Sequence, residues 1–337
     1  MPSKVAIPDS PLDRFTAIYQ AMAKISPWWT DASRLRHGAM AAIMCDGDAR
    51  EVAQRVRATS KALEKASPWH WGVSSSVQFA VSALLLQNGD TPTGFIKELK
   101  RVRKLFRQQG LHRALQYELL AVLILRIQAN NKPISSEAIH RFKAIYQEMK
   151  RHHRWLTGPD DFPACAILTG QPGAPRKLGD DIEGLYQELH NHKFDKGNAL
   201  QTAANIMYLA QGSSRTVARR AANLRDELKR HKIRTSSYDY HELAVLAMLE
   251  LPADRIARRV VEIREGLRRI RPKIHLGRPL ALAAGIAFVD LVAPTEKAKA
   301  ASNASTLIRV QAMVAAQQAV LMAVAATAVV ATTMSSN

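Results

Sequence analysis

Apolar positions along this chain recur with a period of about 40 residues, from near residue 38 to near residue 290. Each unit opens with a segment of alanine and larger aliphatic residues that is apolar nearly all round, which predicts a helix buried on several sides. Equivalent positions in successive units are Ile43, Leu84, Leu123, Ile167, Ile206, Leu246 and Ile286. Their spacings are 41, 39, 44, 39, 40 and 40 residues.

A second helix follows in each unit, with apolar residues at i, i+3 and i+7. Clear examples are Leu99, Val102 and Phe106 in one unit and Val260, Ile263 and Leu267 in another. This spacing lays one apolar stripe along a helix and leaves the rest to solvent. A single hairpin cannot bury its apolar face, but a stack of hairpins can. The pattern predicts an all-α fold: an α-solenoid-like stack of six to seven helical hairpins, with a closed α/α toroid as the alternative.

This pattern divides the chain into three predicted segments. We expect a helical-repeat domain over residues 1–293, opened by a leading helix at 11–25, then a linker at 294–305 and an alanine-rich apolar helix at 306–337. Turn-forming residues separate the helices, and no run alternates in the manner of a strand. We therefore expect about fifteen helices and no sheet.

The C-terminal apolar stretch and the two cysteines help to predict where the protein is located in the cell. Residues 312–334 carry no charge and are long enough to cross a membrane. Their alanine content and two central glutamines favour a helix packed on the protein, with a tail anchor on the cytoplasmic membrane face as the alternative. Cys45 and Cys165 lie in apolar helices and are expected to be reduced. With no signal-type start, we expect a cytoplasmic protein.

Positive charge is the strongest compositional feature, with a net charge of +19 and a pI near 10.2. From residue 215 to residue 278 there are 17 Lys or Arg against 8 Asp or Glu. Much of this falls on two consecutive second helices, which lie side by side in a stack. The predicted basic strip comprises Arg219, Arg220, Arg225, Lys229, Arg230, Arg258, Arg259, Arg264, Arg268 and Arg269. Such a strip suits phosphate contacts, and equally a solvated face crossed by ion pairs.

Tryptophan and histidine cluster between the repeat units rather than within their helices. Because equivalent junctions line up along one edge of a stack, they predict a binding rim. Its residues are Trp28, Trp29, Trp69, His70, Trp71, His152, His153 and Trp155. Tryptophan is suited to stacking and apolar anchoring. A tryptophan at a turn can also serve only to wedge neighbouring units together.

Catalytic and metal motifs do not emerge from the sequence. His152 and His153 with Asp160 and Asp161 are ligand types, and Glu137 with His140 has a spacing used in di-iron bundles, but no complete ligand set accompanies them. No nucleophile elbow, zinc-protease helix or phosphate loop is present. We expect no metal and no cofactor.

One resemblance covers most of the chain. The stretch 194–201 (Phe-Asp-Lys-Gly-Asn-Ala-Leu-Gln), the preceding helix at 180–189 and the alanine-rich ending around 316–319 resemble a bacterial family of uncharacterised all-helical proteins, known only as a domain of unknown function. That family often has an acidic residue where Ala199 stands, and it tends to be less basic. The resemblance implies a helical fold and no activity. A looser similarity, at the level of fold alone, is to helical-repeat DNA glycosylases.

Three functions remain open on these grounds. The leading expectation is a non-enzymatic scaffold that binds a protein or peptide through its concave face or the Trp/His rim. The second is a nucleic-acid-binding module that uses the basic strip. The third is an α/α-toroid enzyme whose acids converge at one end of a closed ring.

Overall fold

The chain is all-helical in the computed structural model, which describes residues 8–27, 30, 32–66, 75–210, 212–271 and 279–299. These residues form fourteen α-helices and two short 3₁₀ helices, Pro159–Asp161 and Ser237–Asp239, and they contain no strand. The α-helices are α1 (Pro11–Ile25), α2 (Ala32–Ala41), α3 (Ala49–Ala66), α4 (Ser75–Gln87), α5 (Pro92–Gln108), α6 (Leu115–Gln128), α7 (Ser136–His152), α8 (Phe162–Thr169), α9 (Pro175–Asn191), α10 (Asn198–Met207), α11 (Ser214–Arg230), α12 (Tyr240–Ala247), α13 (Ala253–Arg269) and α14 (Pro279–Lys299).

The odd-numbered helices are 15 to 18 residues long and amphipathic. On α5, Phe95, Leu99, Val102 and Phe106 are buried along one stripe. Three odd-numbered helices begin at a hydroxyl residue (Thr91, Ser135 or Ser213) whose side chain accepts a backbone N–H of the first turn. Such caps satisfy donors that have no partner within the helix. The odd-numbered helices therefore form an outer layer.

The even-numbered helices are shorter, at 8 to 14 residues from α2 to α12, and mostly apolar on all sides. Every residue of α8 from Phe162 to Leu168 is buried, as is every residue of α6 from Leu119 to Leu125. A helix buried all round needs neighbours on every side. The even-numbered helices therefore form an inner layer of mostly buried, apolar residues.

The first and last hairpins contact each other. Inner helices contact the next inner helix along the chain, and outer helices pack side by side, with Phe106 of α5 stacked on Phe142 of α7 at 4.9 Å between ring centroids. Helix α1 contacts α13 and α14, and α14 contacts α2. Gln20 Nε2 also donates to Arg271 O at 2.9 Å, across 251 positions of sequence. These contacts join the first hairpin to the last.

The leading helix predicted at residues 11–25 is α1. It belongs to the outer layer, which has seven helices among the described residues. Helix α14 continues to Lys299 and so runs into the segment predicted as a linker at 294–305. No helix among the described residues is long and apolar enough to cross a membrane. The stretch 312–334 lies outside the described residues. Cys45 and Cys165 are buried free thiols.

The hairpin arrangement gives the molecule two unlike ends. Because consecutive helices are antiparallel, every connection from an outer to an inner helix lies at one end, and every return connection lies at the other. We call residues 109–115, 153–161, 192–198, 231–239 and 270–271 the junction face. We call residues 42–48, 88–91, 129–135, 170–174, 208–213 (Gln211 excepted) and 248–252 the turn face.

Candidate functional site

Exposed apolar side chains identify the junction face as the candidate site. Three large hydrophobic residues are exposed in the described part of the chain: Trp155 at 92%, Tyr238 at 62% and Leu115 at 50%. All three lie on the junction face. Leu115 also has a φ of 37°, a left-handed conformation that a leucine rarely adopts. Exposed apolar groups and strained backbone are both more common at binding sites than elsewhere.

Unpaired positive charge surrounds these side chains. Seven cations of the junction face are exposed, and none forms an ion pair within the described residues. They are Arg113, Arg154, Lys193, Lys196, Lys232, Arg234 and Arg271. The Arg154 guanidinium lies 5.8 Å from the Trp155 ring centroid, a cation–π contact.

The aspartates of the same face are engaged in hydrogen bonds. Asn198 Nδ2 donates to Asp160 at 2.7 Å, and the Tyr240 hydroxyl donates to Asp195 at 3.2 Å. Asp239 accepts the backbone N–H of Ser236 at 2.9 Å, which caps the second 3₁₀ helix. The acidic groups therefore stabilise the loops while the basic groups face solvent.

The stretch 194–201 joins three successive junctions. The Asp195 N–H donates to the Tyr240 hydroxyl oxygen at 2.8 Å, which links this junction to the start of α12. The Gly197 N–H donates to the Tyr186 oxygen at 3.1 Å, and its φ of 139° suits a glycine. Gln201 Nε2 donates to Thr157 at 2.9 Å, which links α10 to the loop before α8. The residues that carry the family resemblance thus hold the junction face together.

Asp161 lies beneath the face and is 2% exposed. It accepts the Gly158 N–H at 2.9 Å and lies 3.4 Å from Gln201 Nε2. Burial, with a smaller contribution from the Asp160 charge, raises the pKa of Asp161 to about 8. Asp161 therefore holds a proton at neutral pH and acts as a neutral support for the loop before α8. This supporting role of Asp161 was not predicted from the sequence.

Of the predicted rim, Trp155 and the two histidines are described. Trp155 projects into solvent, whereas the histidines contact α9: His152 Nε2 lies 3.1 Å from Asp180, and His153 Nε2 lies 2.7 Å from Glu183. The other members, Trp28, Trp29, Trp69, His70 and Trp71, lie outside the described residues. Tyr238 and Leu115 were not predicted. The sequence feature that marked each of them was an apolar residue next to a turn, which on its own is weak evidence for a binding site.

Several arginines of the predicted basic strip form hydrogen bonds or ion pairs with other parts of the chain. Arg220 donates to Ala247 O at 2.9 Å, and Arg225 donates to Lys193 O at 3.1 Å while lying over the Phe194 ring. Arg259 pairs with Asp290 at 2.6 Å. These three arginines fasten α11 and α13 to neighbouring segments.

The rest of the strip divides into paired and exposed groups. Arg230 pairs with Glu227 and Arg258 with Asp254, each within one helix. Arg264 is partly buried, which lowers its pKa. The strip members that remain exposed without an ion-pair partner among the described residues are Arg219, Lys229, Arg268 and Arg269. The structure therefore does not bring the ten residues together as one continuous cationic surface.

Two further buried carboxylates, those of Glu98 and Glu118, each bind partners of their own. Glu98 accepts from Arg101 and from the Ile134 N–H, at 2.7 Å in each case. Glu118 pairs with Arg103 at 2.9 Å and also with Arg107. Within the described ranges, no three metal-ligating side chains come together. Glu98 and Glu118 therefore stabilise the helices that carry them.

Fold and surface together define a class: an all-helical protein of helical hairpins with one basic, aromatic-bearing end. Comparison with known proteins identifies the family of the chain. The chain belongs to the family described as "Protein of unknown function (DUF4003)", which it matches over residues 18–319.

A curated relative agrees with this membership. The chain is 28% identical over 134 residues to "Uncharacterized protein YeaA" of Bacillus subtilis (strain 168), and the alignment spans 40% of each chain. No solved structure matches. The family resemblance noted from residues 194–201 is thereby confirmed, and the comparisons carry no activity over to this protein.

Proposed function

We propose that this protein is a non-enzymatic binding scaffold, a closed α/α toroid of seven helical hairpins that engages a macromolecular partner with its junction face. One observation carries the proposal: Trp155, Tyr238 and Leu115, the exposed large apolar side chains of the described chain, all lie at that one end. Each contributes about 1.5–3 kcal/mol when a partner fully buries it.

The support beneath these side chains suits recognition of a partner. Binding groups work best when the elements that carry them are already fixed, because less freedom is then lost on association. The loops before α8, α10 and α12 are cross-linked by the Asn198–Asp160, Gln201–Thr157 and Asp195–Tyr240 hydrogen bonds. These loops are therefore a preorganised surface.

Other functions have less support. An enzyme in a toroid needs acids that converge in an open interior, whereas most buried residues of the inner helices here are apolar and Glu98 and Glu118 bind arginines. A nucleic-acid site on the α11–α13 strip needs continuous exposed charge, and Arg220, Arg225 and Arg259 are used in the fold. The sequence favoured a protein or peptide as the partner, and the junction face accommodates any partner that covers aromatic rings and cations.

Site-specific photo-crosslinking in cells that produce the protein tests the proposal. A photoreactive amino acid replaces Trp155 or Tyr238 on the junction face, and Lys132 or Pro172 at exposed positions of the turn face serves as the control. We expect a crosslinked macromolecule from the first pair alone. After that partner is purified, the double variant W155A/Y238A is expected to bind it at least tenfold more weakly, with an unchanged melting temperature. Equal crosslinking at both ends, or undiminished binding by the double variant, refutes the proposal.

A further inference from the structure

Cations and apolar rings alternate around the junction face. Arg113 lies before α6 and Leu115 is the first residue of that helix. Arg154 and Trp155 lie before α8. The loop before α10 contributes Lys193 and Lys196. The loop before α12 contributes Lys232, Arg234 and Tyr238, and Arg271 follows before α14. Within the described residues, exposed positive charge thus continues past five successive inner helices, and apolar side chains interrupt it at three of them.

The junctions before α6, α8, α10 and α12 are in contact, so the alternation follows a continuous path along these four. The 3₁₀ helix Pro159–Asp161, in the loop before α8, contacts α6. Asn198 bonds to Asp160, and Asp195 bonds to Tyr240. Since packed helices lie about 8–10 Å apart, each junction is about one such step from the next.

We infer that the partner of the junction face is a single-stranded nucleic acid, whose phosphates contact the exposed lysines and arginines and whose bases stack on Trp155 and Tyr238. This inference rests on the proposed function, because it names the chemical class of the partner that the scaffold binds. Cationic grooves that follow a backbone, combined with aromatic platforms for bases, are how proteins hold single strands without reading sequence.

The pairing of Arg154 with Trp155 illustrates the fit. The guanidinium and the indole lie next to each other, 5.8 Å apart, and the indole is 92% exposed. Adjacent residues therefore offer a charge for a phosphate and a ring for the neighbouring base. The ring can accept a base with little rearrangement, because no other part of the described chain covers it.

The same features favour a single strand over a duplex. A duplex keeps its bases stacked on one another, so exposed rings at loop tips have no base face to contact. Reading a duplex through its grooves requires a projecting helix or a two-stranded ribbon. The described junction face offers helix ends and loops instead.

An acidic peptide fits less well. Peptides commonly dock on a sheet edge or lay an amphipathic helix in an apolar groove. The described chain has no strand, and its three exposed apolar side chains lie on different junctions with cations between them. A polymer that repeats one charge and one flat ring per unit matches this arrangement more closely.

Fluorescence anisotropy with the full-length protein tests the inference. The probe is fluorescein-labelled oligo(dT) of about 16 nucleotides, within the range held by single-strand-binding domains. A duplex of equal length and a polyglutamate peptide are run alongside. The variants are W155A/Y238A, a junction variant K193Q/K196Q/K232Q/R234Q, and a matched control K97Q/K100Q/R215Q/R255Q, which removes equally many exposed, unpaired cations from the outer helices. Thermal unfolding of each variant is measured in parallel.

We expect binding to oligo(dT) at physiological salt, at least tenfold tighter than to the duplex, and a loss of tenfold or more in W155A/Y238A. In the junction variant, the slope of log K against log salt is expected to become shallower by about 3, since each contact to a single strand contributes about 0.7. The control is expected to change affinity less than threefold.

Three results overturn the inference. Absence of oligo(dT) binding at physiological salt does so, and so does an equal loss in the junction and control variants, which indicates generic attraction to a basic protein. Polyglutamate binding that depends on Trp155 and Tyr238, without oligo(dT) binding, assigns the face to an acidic protein instead. That last result rejects the nucleic acid and leaves the scaffold function standing, whereas failure of the crosslinking experiment removes both.

Discussion

The turn face and the junction face use the same residue type, arginine, in different ways. On the turn face, arginines of the outer helices bind backbone carbonyls at the ends of inner helices or in the turn that follows. Arg14 donates to Cys45 O at 2.8 Å, Arg141 donates to Thr169 O at 3.0 Å, and Arg220 donates to Ala247 O at 2.9 Å. On the junction face, Arg113, Arg154 and Arg234 are exposed and form no ion pair among the described residues.

The difference has a physical origin. The last carbonyls of an inner helix have no partner within the helix and carry partial negative charge, so a cation placed there is held. At the junction face the inner helices present their N–H ends, which repel cations, and the carbonyl ends there belong to the outer helices. Arg225 donates to Lys193 O on this face, so part of its positive charge also stabilises the fold. The exposed Arg113, Arg154 and Arg234 remain available for binding.

The largest expected effect tests the claim that turn-face charge is structural. Asp90 in the turn before α5 and Arg126 at the end of α6 form an ion pair in which Arg126 Nη2 lies 2.9 Å from Asp90 Oδ1, with 10% and 5% of the side chains exposed. Because Arg126→Ala leaves a buried carboxylate unpaired, we expect a loss of about 3–5 kcal/mol in unfolding free energy, measured by chemical denaturation. The exposed Arg113→Ala is the control and is expected to change stability by less than about 0.5 kcal/mol. Similar losses in both variants contradict the comparison.

The second effect concerns the acid beneath the junction face. The Asp161 carboxyl has a pKa of about 8 in the folded protein and near 3.8 when unfolded. Between these values the folded protein binds a proton that the unfolded chain has lost, so this group makes unfolding free energy fall as pH rises from about 4 to about 8. The slope is at most about 1.4 kcal/mol per pH unit.

The variant Asp161→Asn removes this titration and keeps an acceptor for the Gly158 N–H. Denaturation at several pH values is expected to show a smaller decline for the variant than for the native protein. Asp160→Asn, at the exposed neighbour, is expected to keep the native decline. A native-minus-variant difference that stays flat over this pH range shows that Asp161 is ionised in the folded state.

The third effect separates two adjacent arginines of the predicted basic strip. Arg220 donates to the Ala247 carbonyl, whereas Arg219 is exposed. We expect Arg220→Ala to cost about 1.5–3 kcal/mol, because a charged hydrogen bond is lost. Arg219→Ala is expected to cost less than about 0.5 kcal/mol. Melting temperatures of the two variants check the pair, and equal shifts argue against a structural role for Arg220.

The smallest effect is expected on the junction face itself. The variant K193Q/K196Q/K232Q/R234Q removes four exposed cations with no ion-pair partner in the described chain. Surface charges of this kind contribute little to folding, so we expect a change within about 1 kcal/mol by chemical denaturation. A larger loss indicates that these residues hold the loops together, and it then weakens the use of this variant as a probe of binding.

Much of the fold was predictable because its signal is local. The stripe of Leu99, Val102 and Phe106 and the all-round apolar character of α6 follow from helical spacing alone. Contact between the first and last hairpins was not predictable from the same signal. It depends on α1 meeting α13 and α14, and no periodicity reports a contact between elements so far apart in sequence.

The site was predicted less well than the fold. Trp155 stood out because tryptophan is rare and lies between units. Arg220 and Arg219 looked alike in sequence, since both are basic residues on a helix, and only the neighbouring Ala247 carbonyl distinguishes them. In the sequence, Asp160 and Asp161 stood out equally as possible metal ligands, and burial alone gave Asp161 a different role from Asp160.

Contact between the first and last hairpins also has a consequence for how the chain folds. In an open array each unit meets only its neighbours, so folding can begin anywhere and spread. Here the flank of α1 that packs on α13 and α14 stays uncovered until residues near 290 have been synthesised. Pairing over such a sequence separation is slow, because a long loop must be closed before the contact forms. Packing of α1 on α13 and α14 is therefore expected to be a late step of folding, and an incomplete chain on the ribosome exposes apolar surface at both ends.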